Sequence, residues 1–193
     1  MKKRLNKSDR RQQLLAVAAT HIVEVGADKL TLATVAEQAG VSKPIAYEHF
    51  GSKQGLLLAL FNHLEAHYTE QLDQVFAQAD IGLTARIERL IHTYMDCMAQ
   101  TGALLEYIQA GLQSQIEEEQ QACYTDLLSR CIHGLSPYLP TNLNDLRSRL
   151  IIFFAAAERA CTLIRSNELT KTDCYTLLHK TLTGLLALET KPY

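Results

Sequence analysis

Apolar residues recur at three-and-four spacing through most of this chain, and no stretch alternates with the period of a half-buried strand. The pattern predicts helices from end to end. Leu14, Leu15, Ala18, Ile22 and Val25 form the stripe of a first helix, started by Ser8 or Asp9 and ended by Gly26. Thr31 is a good N-cap for a short second helix, with Leu32, Val35 and Ala36 on one face and Gly40 suited to the left-handed residue past its end. Val41 drops into the core beneath the turn. A third helix follows, capped by Ser42 or by Lys43, because a residue before proline avoids the α region. Pro44 is tolerated in its first turn, where N–H groups lack an intrahelical partner. Ile45, Ala46 and Phe50 point inward, which leaves Lys43, Tyr47, Glu48 and His49 outside.

Gly51 breaks the third helix and Ser52 caps a fourth. Leu57, Leu60, Phe61, Leu64, Tyr68, Leu72, Val75 and Phe76 carry that helix to about Ala79, a length of roughly 37 Å at 1.5 Å per residue. The next stripe, from Leu83 to Met98, ends at Gly102, and a shorter helix spans about Ala103 to Gln113. Glu117, Glu118 and Glu119 open the following helix, where the macrodipole favours negative charge. Gly134, Pro137 and Pro140 close it. Asn142 caps an eighth helix to about Ser166, and Thr170 or Thr172 caps a ninth to about Leu188. The reading is an all-α chain of about nine helices. Residues 1–55 form an amino-terminal three-helix domain, and residues 56–193 form a carboxy-terminal helical bundle.

The second and third helices, joined by the Ala39-Gly40-Val41 turn, have the layout of a helix-turn-helix, whose second helix can enter a major groove. The flanks sharpen this. The run AEQAGVSKPIAYEHFGSKQGLL, Ala36 to Leu57, closely resembles the signature of TetR-family transcriptional regulators. Thr31, Val35, Ala36, Ala39, Gly40, Val41, Ser42, Tyr47, His49, Phe50, Ser52, Lys53, Leu56 and Leu57 carry the resemblance, which covers roughly the first third of the chain. Pro44 stands where glycine is common in that family, Ala46 where a larger apolar residue is usual, and Glu48 where a neutral or basic residue is frequent.

The resemblance implies a DNA-binding domain followed by a domain that dimerises and binds a small molecule. The expected DNA-facing set is Thr31, Thr34, Ser42, Lys43, Pro44, Tyr47, His49 and Lys53. Tyr47 and Lys53 are assigned to phosphates, as the resemblance implies. Lys43 and Thr34 are assigned to base edges.

Charge changes the picture more than composition does. The chain of 193 residues has a net charge of −2 and is 47 % hydrophobic, which is long enough and apolar enough for a sizeable core. Through Gly55, nine bases face five acids, a balance of +4; the remainder has ten bases and sixteen acids, a balance of −6. A DNA-binding end and a non-DNA end would need such asymmetry. The basic start MKKRLNKSDRR lacks an apolar core for a secretory signal, and no apolar run approaches a membrane span. A cytoplasmic protein is expected. Five widely spaced cysteines form no C-x-x-C pair and read as buried small hydrophobes, with a redox sensor as the alternative.

In the second domain, residues that combine apolar bulk with a polar handle are the candidates for an effector site. They are His92, Tyr94, Met95, Met98, Tyr107, Gln109, Gln113, Tyr124, Phe154 and Glu158. For each, core packing is the competing reading, and for Glu158 an ion pair with Arg159 or across subunits. The eighth helix is apolar over much of its circumference, with Phe153 and Phe154 beside Ala155, Ala156, Ala157 and Ala160. Such a helix needs cover on all sides. Burial within the monomer and a homodimer interface with the ninth helix both satisfy that need, and the resemblance favours the dimer.

No cofactor or metal site is expected. His63 and His67, four apart, lack further ligands for zinc. No Walker A, H-E-x-x-H or dinucleotide glycine pattern points to an enzyme. The expected function is a transcriptional regulator, a repressor released from a double-stranded DNA operator by a small-molecule effector. The alternative is a structural DNA-binding adaptor that recruits a protein partner without a small ligand.

Overall fold

The computed structural model describes residues 5–78, 80–112 and 116–187. Among them are eight α-helices and no strand: α1 Lys7–Val25, α2 Leu32–Gln38, α3 Lys43–Phe50, α4 Lys53–Phe76, α5 Leu83–Leu112, α6 Glu117–Leu135, α7 Leu143–Arg165 and α8 Lys171–Ala187. None is long and apolar enough to cross a membrane. The chain divides into two compact units, Met1–Ala66 with Thr101–Glu119, and His67–Gln100 with Gln120–Tyr193. Both α4 and α5 contribute residues to each unit.

In the first unit α1 buries Leu14, Leu15, Ala18 and Ile22, and Leu30, Leu32, Val35, Ala36, Ala46 and Phe50 of the segments that follow are buried too. Val25, expected on the same stripe, is 42 % exposed, and His21 is buried instead. The helix also starts earlier than Ser8 or Asp9. The side-chain oxygen of Asn6 accepts the Asp9 N–H at 2.8 Å, and its carbonyl accepts the Arg10 N–H at 3.0 Å. An asparagine cap of this kind satisfies a donor that would otherwise be orphaned.

The unit extends past Gly55. Leu56, Leu57 and Leu60 at the start of α4 are buried with the helices before them. The end of α5 joins them: a Cβ at Gly111 would lie 2.8 Å from Leu57 Cδ1. The expected pair of helices on either side of Gly102 is one continuous helix, α5. Gly102 is itself buried, and Leu104, Ile108 and Leu112 carry the buried stripe onward in register. Packing of that stripe outweighs the roughly 1 kcal/mol that a mid-helix glycine costs relative to alanine.

The second unit has its own core, built from Leu72, Leu90, Ile91, Met95, Leu128, Cys131, Leu150, Phe153, Phe154, Leu178 and Leu182 among others. Asn142 caps α7 by accepting the Asp145 N–H at 2.8 Å, and Thr170 caps α8 by accepting the Asp173 N–H at 3.1 Å. Gly134 does not end α6 but lies within it, and a Cβ there would lie 2.2 Å from the Phe76 ring. α7 is buried along Leu146, Leu150, Phe153, Phe154, Ala157 and Cys161, whereas Ile152, Ala155 and Ala156 on its other side are exposed.

Candidate nucleic-acid interface

The α2–α3 turn is built from local capping. Thr31 Oγ1 accepts the Thr34 N–H at 3.0 Å, and Thr34 Oγ1 accepts the Thr31 N–H at 3.1 Å, a reciprocal capping box. At the other end the Gly40 N–H reaches the Glu37 carbonyl at 3.0 Å and the Val41 N–H reaches Ala36 at 2.9 Å. These two bonds make a Schellman motif, which needs a left-handed residue between them. Gly40 supplies it at φ 66°.

α3 begins at Lys43, so Ser42 is its cap, with extended φ −73° and ψ 148°. Ser42 caps with its main chain, accepting the Ile45 N–H at 3.0 Å, and makes no side-chain capping bond. Ala46 and Phe50 are buried and Ile45 half-buried. Lys43, Pro44, Tyr47 and Glu48 are exposed and spread over about 140° of one side of the helix at 3.6 residues per turn, and Ser42 is exposed at its cap. Tyr47 is 53 % exposed. Glu48 lies 3.4 Å from Lys7 Nζ at the start of α1.

Arg11 fixes the end of α3. Its guanidinium donates to the His49 carbonyl at 3.0 Å and lies 4.8 Å from the centre of the Phe50 ring. This is a cation at a helix C-terminus and a cation–π contact at once. Gln13 similarly donates to the Ala39 carbonyl at 3.2 Å, so α1 braces the ends of both helices. Neither residue was legible from sequence, because the partners lie 38 and 26 positions away. His49 is half-buried. Desolvation lowers its imidazole pKa below 6.5; Lys7, Arg11 and Arg10 add to that, and Glu48 opposes it.

Gly51, at φ 69°, reverses the chain into α4, and Ser52 Oγ accepts the Gly55 N–H at 3.0 Å. Lys53 follows in the first turn. Its ammonium donates to the Asp28 carbonyl at 3.2 Å, tying the 3-10 turn Ala27–Lys29 to α4. Two of its three donors remain for an anion. Thr31 is exposed, and Thr34 is half-buried with its hydroxyl donating to the Thr31 carbonyl at 2.8 Å. All eight expected DNA-facing residues therefore belong to the first unit, with Thr34 drawn furthest into its own cap.

The comparisons with known proteins match this geometry. Residues 14–60 match the family model of bacterial regulatory proteins, tetR family. Over those residues the chain carries the amino-terminal domain of the tetR family. It is 32 % identical over 114 residues to the nucleoid occlusion factor SlmA of Pasteurella multocida, over 58 % of this chain and 56 % of that protein. The fold resembles that of a TetR-like transcriptional regulator from Rhodococcus sp. RHA1, with a TM-score of 0.73 at 19 % identity over 95 % of this chain and 100 % of the other. It also resembles the transcriptional regulator FadR of Bacillus subtilis in complex with stearoyl-CoA, with a TM-score of 0.71 at 20 % identity over 91 % and 97 % of the two chains. At these identities the two structures show a shared fold. The first curated relatives it matches are covered over 26 to 62 % of their own length.

The effector candidates are dispersed over both units. Tyr94, Met95 and Phe154 are buried in the core of the second unit, with Met98 and Tyr124 packed against it. The Tyr94 ring lies 5.4 Å from Phe154 and 6.2 Å from Tyr68. Burial raises the Tyr94 and Tyr124 phenol pKa values, and the exposed Glu158 carboxylate adds to both shifts. His92 is exposed and stacks on Tyr175 at 4.1 Å. Tyr107 and Gln109 are exposed and belong to the first unit, whereas Gln113 lies outside the described residues.

Of the cysteines, Cys131, Cys161 and Cys174 are buried and Cys97 and Cys123 half-buried. Burial pushes the Cys161 thiol up to about 11, which disfavours a reactive thiolate there. Among the described residues no three His, Cys, Asp or Glu side chains are placed to hold a metal ion.

Proposed function

We propose that this protein is a sequence-specific, DNA-binding transcriptional regulator that acts as a homodimer on a near-palindromic operator. The observation that carries this reading is the outward face of α3, with Ser42, Lys43, Pro44 and Tyr47 exposed together. Beside it, Lys53 stands in the first turn of α4 with spare donors. Lys43 and Thr34 read base edges, Thr34 through its methyl group because its hydroxyl is held in the cap, Tyr47 and Lys53 meet phosphates, His49 faces the duplex, and Thr31 lies near the backbone. Two recognition helices of a two-fold dimer then enter successive major grooves about 34–36 Å apart.

Regulation follows as repression relieved by a small-molecule effector. FadR, whose fold this chain resembles, is described in complex with stearoyl-CoA. Tyr94 and Phe154 in the core of the second unit, with Met98 and Tyr124 packed against it, would offer an effector apolar surroundings. The domain division belongs to the same reading: DNA contact from residues 1–55, and ligand binding and dimerisation from residues 56–193.

Selection of bound duplexes from a random pool tests the proposal. Recovery of one inverted-repeat sequence is expected, and recovery of no preferred sequence would overturn it. A second reading is a DNA-binding adaptor that recruits a protein without a small ligand, for which the likeness to proteins named as nucleoid occlusion factors is a weak hint. Linkage separates the two: an effector that releases DNA must bind more weakly, by the same factor, when operator is present.

A further inference from the structure

The acid on the recognition face needs an account. Glu48 is the sixth residue of α3, its side chain 67 % exposed, and helical spacing sets it one turn past Pro44 and next to Tyr47, both exposed. Its pairing with Lys7 does not explain it. The two side chains are 3.4 Å apart at 76 % and 67 % exposure, and exposed pairs of that kind contribute little to folding. Neither is it buried against anything whose satisfaction would require a carboxylate.

Resting on the reading of α3 as a recognition helix, this position confronts a polyanion. A carboxylate there repels phosphates and every acceptor on a base edge. An ionised carboxylate only accepts hydrogen bonds. The major groove offers it two exocyclic amines, cytosine N4 and adenine N6. Adenine sets its N7 acceptor beside the amine, which disfavours an approaching carboxylate. Cytosine presents its amine with no acceptor of its own next to it. Lys7 Nζ, 3.4 Å from the carboxylate, offsets its charge while it is free.

We propose that Glu48 is a specificity-determining residue that selects cytosine at one position of each half-site, with Lys7 compensating its charge. The carboxylate accepts from cytosine N4, and guanine, thymine and adenine at that position are rejected because each puts an acceptor in its path.

Random-duplex selection with the full chain, its Glu48→Ala variant and its Glu48→Gln variant tests this, read by sequencing and by titration on the recovered duplexes. The wild type is expected to recover a motif with an invariant cytosine in each half-site. Replacing that base should lower affinity on the order of ten- to a hundredfold. Glu48→Ala should keep the rest of the motif and lose discrimination there, and Glu48→Gln should shift the preference toward adenine. Identical motifs from the wild type and Glu48→Ala would overturn the proposal, as would a position that responds to Glu48 but prefers a base other than cytosine in the wild type. If the wild type recovers no motif, DNA recognition by α3 fails, and the cytosine proposal fails with it. Because the side chain is exposed, circular dichroism melts of the variants should match the wild type, which separates readout from misfolding.

Discussion

The backbone of Gly55 faces the main-chain carbonyl of Phe50 so closely that a Cβ would lie 2.1 Å from that oxygen. The last residue of α3 and the first turn of α4 are thus in direct contact, and only glycine permits it. A carbonyl in a helix end cannot swing away as a flexible side chain would. Gly55→Ala is expected to shift the start of α4 and cost about 1–3 kcal/mol, the usual range for overpacking. Urea unfolding measures this. A variant as stable as the wild type would show that α4 can yield at no cost.

Arg86 is 3 % exposed, and its guanidinium is spent on the main chain. It donates to the carbonyls of Phe76 at 3.0 Å, Gln78 at 2.6 Å and Ile81 at 3.2 Å, and lies 4.6 Å from the Tyr138 ring. Those carbonyls close the end of α4 and its loop to α5. Arg86→Ala is expected to destabilise by about 1.5–3 kcal/mol, the range for hydrogen bonds to a charged group, since the freed carbonyls of half-buried Phe76 and Ile81 and exposed Gln78 can turn to water. Arg86→Lys should recover little, because one ammonium cannot reproduce the planar fork. Thermal melts of both variants decide it.

These two residues mark the limit of what could be read in advance. Thr31, Gly40, Ser42 and Ser52 were legible because a cap or a left-handed turn needs a particular residue type within three or four positions. The cap Asn142, and Thr170 as one of two candidates, were legible for the same reason, and the stripe of α1 apart from Val25 from its three-and-four spacing. Gly102 misled because local propensity argued for a break, whereas burial of Leu104, Ile108 and Leu112 on the same stripe maintains the helix. Arg11, Arg86 and the Gly55 contact depend on partners brought together by tertiary packing. No local pattern carries that information.

The exposed apolar residues of the last two helices bear on assembly. Ile152 is 58 % exposed on α7 and Leu177 52 % exposed on α8, with Ala155 and Ala156 exposed between turns of α7. Ala160 is partly buried against the core, and the Cys174 thiol lies 3.7 Å from its carbonyl, so a change there also disturbs the monomer. Ala156→Glu is therefore the cleaner test. It should yield a folded monomer by sedimentation with weakened operator binding. A variant that stays dimeric would place the interface on another face.

Lys53 has both a structural and a DNA-facing assignment, and salt separates them. Lys53→Ala removes the bond to the Asp28 carbonyl. If it also removes one phosphate contact, the slope of log affinity against log salt should fall by roughly 0.9. The loss should be uniform across duplex sequences. An unchanged slope together with a lower melting temperature would confine Lys53 to bracing the turn.

His49 should link both folding and DNA binding to pH, with opposite signs. Desolvation, reinforced by Lys7, Arg11 and Arg10 and opposed by Glu48, puts its folded pKa below the ordinary 6.5. Well above 6.5 the imidazole is neutral whether the chain is folded or not, and contributes no pH dependence. As pH falls through 6.5, the unfolded chain takes up the proton first, so stability is lost until pH passes below the folded value. The wild type should therefore lose stability on acidification more steeply than His49→Gln, in which the other six histidines are retained. A phosphate beside the same imidazole favours the protonated form and raises its pKa. Operator binding then takes up a proton, and affinity should rise as pH falls across that window, again less in His49→Gln. Melting curves and operator titrations between pH 8 and about pH 5.5, in wild type and variant, measure the two slopes separately. A stability difference without an affinity difference would place His49 away from the phosphates and leave Tyr47 and Lys53 as the backbone contacts of α3 and α4.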